Sequence, residues 1–101
     1  MSQTPSRLVL TTARSLIAER RSWLQHGWRR GNRHVMRRCA YQAVVDAARM
    51  LGLEDRRPLA LLADAMSGTA AANPRETIPV FNDSHPHAEI LAMFDRAIEK
   101  T

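Results

Sequence analysis

Five arginines fall within WLQHGWRRGNRHVMRR, residues 23–38: Arg29, Arg30, Arg33, Arg37 and Arg38. His26, His34 and two tryptophans lie among them, and there is no acid in the stretch. A guanidinium forks onto a phosphate or carboxylate and stacks on a planar ring, while an indole offers a stacking surface. The chemistry such a set suggests is the gripping of an anionic chain rather than bond making. Arg30, Arg33 and Arg37 stand at i, i+3 and i+7, so a helix starting early would align them. Arg7, Arg14 and Arg21 are spaced by seven and would share a stripe on a preceding helix. The predicted interface is therefore Trp28, Arg29, Arg30, Arg33, Arg37 and Arg38, extended by Arg14 and Arg21. The competing reading is a solvated turn between two helices, with Trp23 and Trp28 turned inward. Trp23 suits the core.

Charge is unevenly spread along the chain. Residues 1–52 carry ten arginines against Glu19 and Asp46, net +8, and residues 53–101 carry net −3, which together give the +5 of the whole. A basic and an acidic face are expected, the basic one suited to nucleic acid, RNA or DNA, or to an acidic protein surface.

Other residues invite chemistry less. His85-Pro86-His87 after Asp83 has the look of a ligand cluster, but a zinc site needs three or four converging donors, and exposed first-turn residues explain both histidines. Asn82-Asp83 suits a turn or a cap. Cys39 could pair with His34 as a nucleophile, yet it sits on an apolar stripe and reads as a small buried hydrophobe. No phosphate-cradling glycine loop, nucleophile elbow or HExxH motif is found. The expectation is no metal, no cofactor and no enzyme.

The elements that must position these residues are helices. In a chain of 101 residues, 45% hydrophobic but only 5% aromatic, one domain with one aliphatic core is expected. No apolar run approaches the ~18–20 residues that cross a membrane, and residues 1–15 show no leader pattern. One cysteine cannot form an internal disulfide. These features point to the cytoplasm.

After a frayed start at residues 1–6, a first helix is predicted to begin at Ser6 or Thr11 and run to about Leu24. A second follows from about His34 to Leu51, with Met36, Cys39, Ala40, Ala43, Val44, Ala47, Met50 and Leu51 on one side and Gly52 as C-cap. Its alanines invite a close neighbour and could also pack between chains of a homodimer. A third helix has Pro58 in its first turn and ends at Gly68. Residues 68–83 read as an irregular, Pro-containing segment, with Ile78, Val80 and Phe81 plugging the core as extended chain. The last helix, about Ser84 to Lys100, carries Ile90, Leu91, Phe94, Ala97 and Ile98, with Ser84 or Asp83 as cap. The fold class is all-α, a compact bundle of about four helices.

Three stretches resemble a family of small bacterial and phage proteins classed as a domain of unknown function: ARSLIAERRSWLQHG (13–27), RCAYQAVVDAA (38–48) and IPVFNDSHPHAEILAMFDRAI (78–98). That family's pattern is Gly-Trp-x-Gln-Gly, Cys-x-x-Gly-Ala, Trp-Asn-Asp, Glu-Val-Leu and Asp-x-Ala-Ile. Here Trp23, Gln25, Cys39, Asn82, Asp83 and Glu89 keep it. Ser22 and His26 stand where glycines are usual, Gln42 replaces a glycine, Phe81 a tryptophan and Pro86 a threonine. The resemblance implies a helical fold and a bacterial or phage origin, and it implies no reaction. The expected function is a non-enzymatic module contacting nucleic-acid backbone through ~3–5 phosphates, with a log–log salt slope of about −3 to −4. The alternative is a small protein-binding regulator or inhibitor, acting in phage–host conflict.

Overall fold

Thr4 and Pro5 start the first helix. The Thr4 hydroxyl oxygen accepts the Arg7 N–H at 3.1 Å, and Pro5 opens the helix where no amide partner is needed. In a computed structural model, which describes residues 4–32, 35–69 and 72–101, the chain is mostly helical. Among the described residues there are five α-helices: α1 Pro5–Leu16, α2 Ala40–Leu51, α3 Arg56–Ser67, α4 Pro74–Ser84 and α5 His87–Glu99. One 3-10 turn, Arg20–Ser22, and two short strands, β1 Arg29–Gly31 and β2 Met36–Arg38, separate α1 from α2.

One hydrophobic cluster joins all five helices. Val9, Leu10, Ala13 and Ile17 meet the alanine face of α2, Ala40, Ala43, Val44 and Ala47. Leu59, Leu62 and Ala63 of α3 pack against Ile78 of α4 and against Ile90, Phe94 and Ala97 of α5. Small residues let α1 approach α2 closely, as their spacing predicted. Gly52 and Gly68 end α2 and α3 in the left-handed conformation.

Four expectations are corrected. First, the architecture is five helices with a two-stranded antiparallel sheet, not a pure four-helix bundle. The pairs Arg29–Arg38, Arg30–Arg37 and Gly31–Met36 replace the expected start of helix two. Gly31 dictates the hairpin: its φ is +139°, and a Cβ there would lie 2.0 Å from the Val35 carbonyl oxygen. Asn32 closes the turn, its backbone and side chain both bonded to Val35.

Second, α1 stops at Leu16, so Arg21 leaves the stripe that Arg7 and Arg14 share. The chain at Trp23–Leu24 instead runs beside β2, and the Leu24 N–H donates to the Arg38 carbonyl at 3.0 Å. Third, residues 74–84 are helical. Asn73 caps the Arg75 N–H at 3.0 Å and Pro74 starts the helix, while Pro79 inside it forgoes one backbone bond. Ile78 does plug the core, but Val80 is exposed. Fourth, α5 begins at His87 with Pro86 at its N-cap, and Ser84 ends α4 by donating its hydroxyl to the Val80 carbonyl at 2.8 Å.

Phe94 is fully buried at the centre. Phe94→Ala is expected to cost ~3–5 kcal/mol as a cavity. Thermal denaturation checks this, and a loss below about 1 kcal/mol would contradict the placement.

Candidate nucleic-acid interface and the core that holds it

One buried amide ties together the chain segments that flank the hairpin. Asn82 of α4 is 0% exposed. Its Oδ1 accepts the Trp23 indole N–H at 2.7 Å and the Ala40 N–H at 3.0 Å. Its Nδ2 donates to the Leu24 carbonyl at 2.9 Å and to Asp83 Oδ1 at 3.2 Å. An amide offers two donors and two lone pairs, and all four are used.

The neighbours continue the pattern. Asp83 Oδ1 also accepts the His26 N–H at 2.7 Å. His26 has φ +60°, the left-handed region that favours glycine. That is the position where the resembling pattern carries glycine. Gln25 Nε2 donates to the Asn82 and His85 carbonyls at 3.2 and 3.1 Å, satisfying chain-end acceptors of α4. Trp23, Gln25, Asn82 and Asp83, which carry the resemblance, thus converge on one knot. Sequence reasoning assigned Asn82-Asp83 a turn role and missed it. The available signal was spacing, because Asn82 follows Ile78 by four and so shares its inward face.

Both histidines of the His-Pro-His segment are half-buried rather than exposed first-turn residues. His85 stacks on Phe81 at 3.6 Å between ring centroids, and its Nδ1 lies 2.9 Å from the Phe81 carbonyl oxygen. His87 stacks on Trp23 at 5.2 Å, with Nε2 2.6 Å from the Ile17 carbonyl oxygen. A carbonyl only accepts, so Nε2 of His87 carries a proton. Cys39 is buried at the N-cap of α2, where its Sγ accepts the Gln42 N–H at 3.3 Å. Burial pushes the thiol pKa up, Asp83 adds to the rise, and backbone amides oppose it.

The predicted arginines divide by partner. Arg38 donates through Nε to the buried Asp46 at 2.7 Å, Gln42 Nε2 donates to the other carboxylate oxygen at 2.8 Å, and Arg29 Nη1 lies 3.6 Å away. The cross-strand pair Arg29–Arg38 therefore shares the single carboxylate of Asp46 on α2. Arg14 pairs with Asp95 of α5 at 2.7 Å, and Arg21 with Glu19 at 2.7 Å. Arg30 and Arg37 stand opposite each other on the other face of the hairpin, exposed and without an ion pair among the described residues. Directly opposed side chains are on the order of 5 Å apart, and like charges there repel. Arg33 lies outside the described residues. Trp28 is 46% exposed and meets Tyr41 edge-on at 5.4 Å. The structure thus brings Trp28, Arg29, Arg30, Arg37 and Arg38 to one hairpin and leaves Arg14 and Arg21 elsewhere in ion pairs.

What these features define is a small helical fold carrying a basic hairpin on a buried asparagine knot. The chain belongs to the family described as Family of unknown function (DUF6197), which it matches over residues 1–100. No curated protein and no solved structure matches it. Among the described residues, no helix is long and apolar enough to cross a membrane.

Burial raises the Asp46 carboxyl pKa, but hydrogen bonds from Arg38 and Gln42 and the charge of Arg29 outweigh it, so the net shift is downward. The ionised form therefore stabilises the fold above the unfolded-state value of ~3.9, and this is lost as pH falls through the lower folded-state value. Melts from about pH 6 to about pH 2 should show Asp46→Asn less stable at the upper end but losing less on acidification. Parallel pH profiles for the two proteins would contradict the assignment.

Proposed function

We propose that the chain is a non-enzymatic module that contacts nucleic-acid backbone through the β1–β2 hairpin. The observation that carries the reading is the opposed pair Arg30–Arg37, exposed and without a neutralising carboxylate among the described residues. Leaving two like charges side by side costs stability, and a polyanion on that face converts the repulsion into attraction. Trp28, just before β1, supplies an exposed ring next to Arg29. Backbone contact of this kind positions the protein without reading sequence.

The interface is smaller than the arginine count suggests. Arg14, Arg21 and Arg38 serve ion pairs within the fold, and Arg29 is shared with Asp46. Arg29, Arg30 and Arg37 give about three phosphate contacts and a salt slope near −3. We also read the module as one cytoplasmic domain of bacterial or phage origin. A buried cysteine thiol supports the compartment, and the three resembling stretches support the origin.

Anisotropy titrations with labelled single-stranded RNA and duplex DNA, at low and physiological salt, test the reading. Arg30→Ala/Arg37→Ala should melt no lower than the native protein, bind more weakly and flatten the slope by about 2. An unchanged slope would remove the hairpin from the interface. No binding by the native protein at low salt would turn the basic face toward an acidic protein partner instead.

A further inference from the structure

Beside the hairpin, an open groove of about 450 Å³ gathers Arg29, two further arginines and two rings. Arg29 comes from β1, Arg49 from the last turn of α2 and Arg75 from the second position of α4, while Trp28 and Tyr41 form its aromatic wall. Asp55, at the N-cap of α3, is its lone acid, and its side chain does not cap that helix. Arg49 and Arg75 are exposed and make no ion pair among the described residues. Three elements, β1, α2 and α4, thus deliver three guanidiniums around an indole. The volume falls within the ~300–1,000 Å³ usual for small-ligand sites.

We propose that this groove holds one nucleotide unit, its phosphate between the guanidiniums of Arg49, Arg75 and Arg29 and its base against Trp28. The inference rests on the reading that this side of the molecule binds nucleic acid, and it extends that interface from Trp28 and Arg29 to Arg49 and Arg75. A guanidinium forks onto a phosphate, and three from different elements can each take different oxygens of one tetrahedral anion. The edge-on contact with Tyr41 fixes the indole and still leaves nearly half of Trp28 in solvent. A base stacked there replaces that exposed ring surface. Asp55 faces the same space with a carboxylate able to accept from sugar hydroxyls. The ligand is a nucleoside monophosphate unit, either free or within a single strand.

The two tryptophans make the test direct. The Trp23 indole N–H is buried on Asn82 and reports the fold, whereas Trp28 reports the groove. Two-dimensional proton–nitrogen spectra of the full chain are recorded during titration with adenosine monophosphate, with inorganic phosphate and with a short single-stranded RNA. Trp28→Phe assigns the two indole resonances. The expected result is a saturable shift of the Trp28 resonance with adenosine monophosphate while Trp23 stays fixed. Inorganic phosphate should act more weakly. Arg49→Ala/Arg75→Ala should weaken nucleotide binding on the order of tenfold with the Trp23 resonance unmoved. Tighter binding of the RNA identifies a residue of a strand as the ligand, and equal or tighter binding of the mononucleotide identifies the free nucleotide. RNA binding that depends on Arg30 and Arg37 while Trp28 stays silent would overturn the groove alone. Silence in both experiments would overturn the groove and the hairpin reading together. Unchanged nucleotide affinity in the Arg49/Arg75 double variant would also overturn the groove.

Discussion

The side-chain amide of Asn82 has four hydrogen-bonding positions, and each reaches a different demand of the fold. It takes the one polar atom of the Trp23 indole, so that ring can be buried. It takes the first amide of α2 and so fixes where that helix begins. Through Leu24 and Asp83 it holds the chain that leaves α1. Each of these groups, left without a partner in a dry interior, would cost about 1–3 kcal/mol. The sharp end of α1, the left-handed His26 and the entry into the hairpin all follow from meeting that requirement at one point.

From there the electrostatics of the hairpin follow. A strand pair with arginines facing arginines on both sides needs relief. Asp46 gives it on the face toward α2, where hydrogen bonds from Arg38 and Gln42 offset the cost of burying the carboxylate. Nothing comparable serves the other face among the described residues. The two faces of one ribbon thus have different jobs: one is glued to the helical core, and the other presents Arg30 and Arg37 to solvent.

Much of the scaffold was legible from periodicity and caps. The stripe Ala40, Ala43, Val44 and Ala47, the stop at Gly52 and the Ile90–Phe94–Ala97 face all stand where spacing placed them. Short strands were not legible, since three residues carry no alternation to detect, and β1–β2 depends on the Gly31 backbone against Val35. Pro79 pointed to a broken segment, whereas Asn73 and Pro74 provide a start strong enough for α4 to absorb it. Buried polar groups were the deepest gap. Asp46 and Asn82 sit on apolar stripes, and composition treats them as surface residues. Arg30 and Arg37 were singled out on helical spacing. They meet instead as cross-strand partners, so the arginine cluster was visible while its geometry was not.

Native-state hydrogen exchange tests the central claim that the Asn82 knot belongs to the cooperative core. The Trp23 indole N–H and the Ala40 amide should exchange only with global unfolding, at the same free energy as the Phe94 amide. Exchange of these two protons through a local opening, well ahead of Phe94, would contradict it. The hairpin would then be tethered by something other than this asparagine.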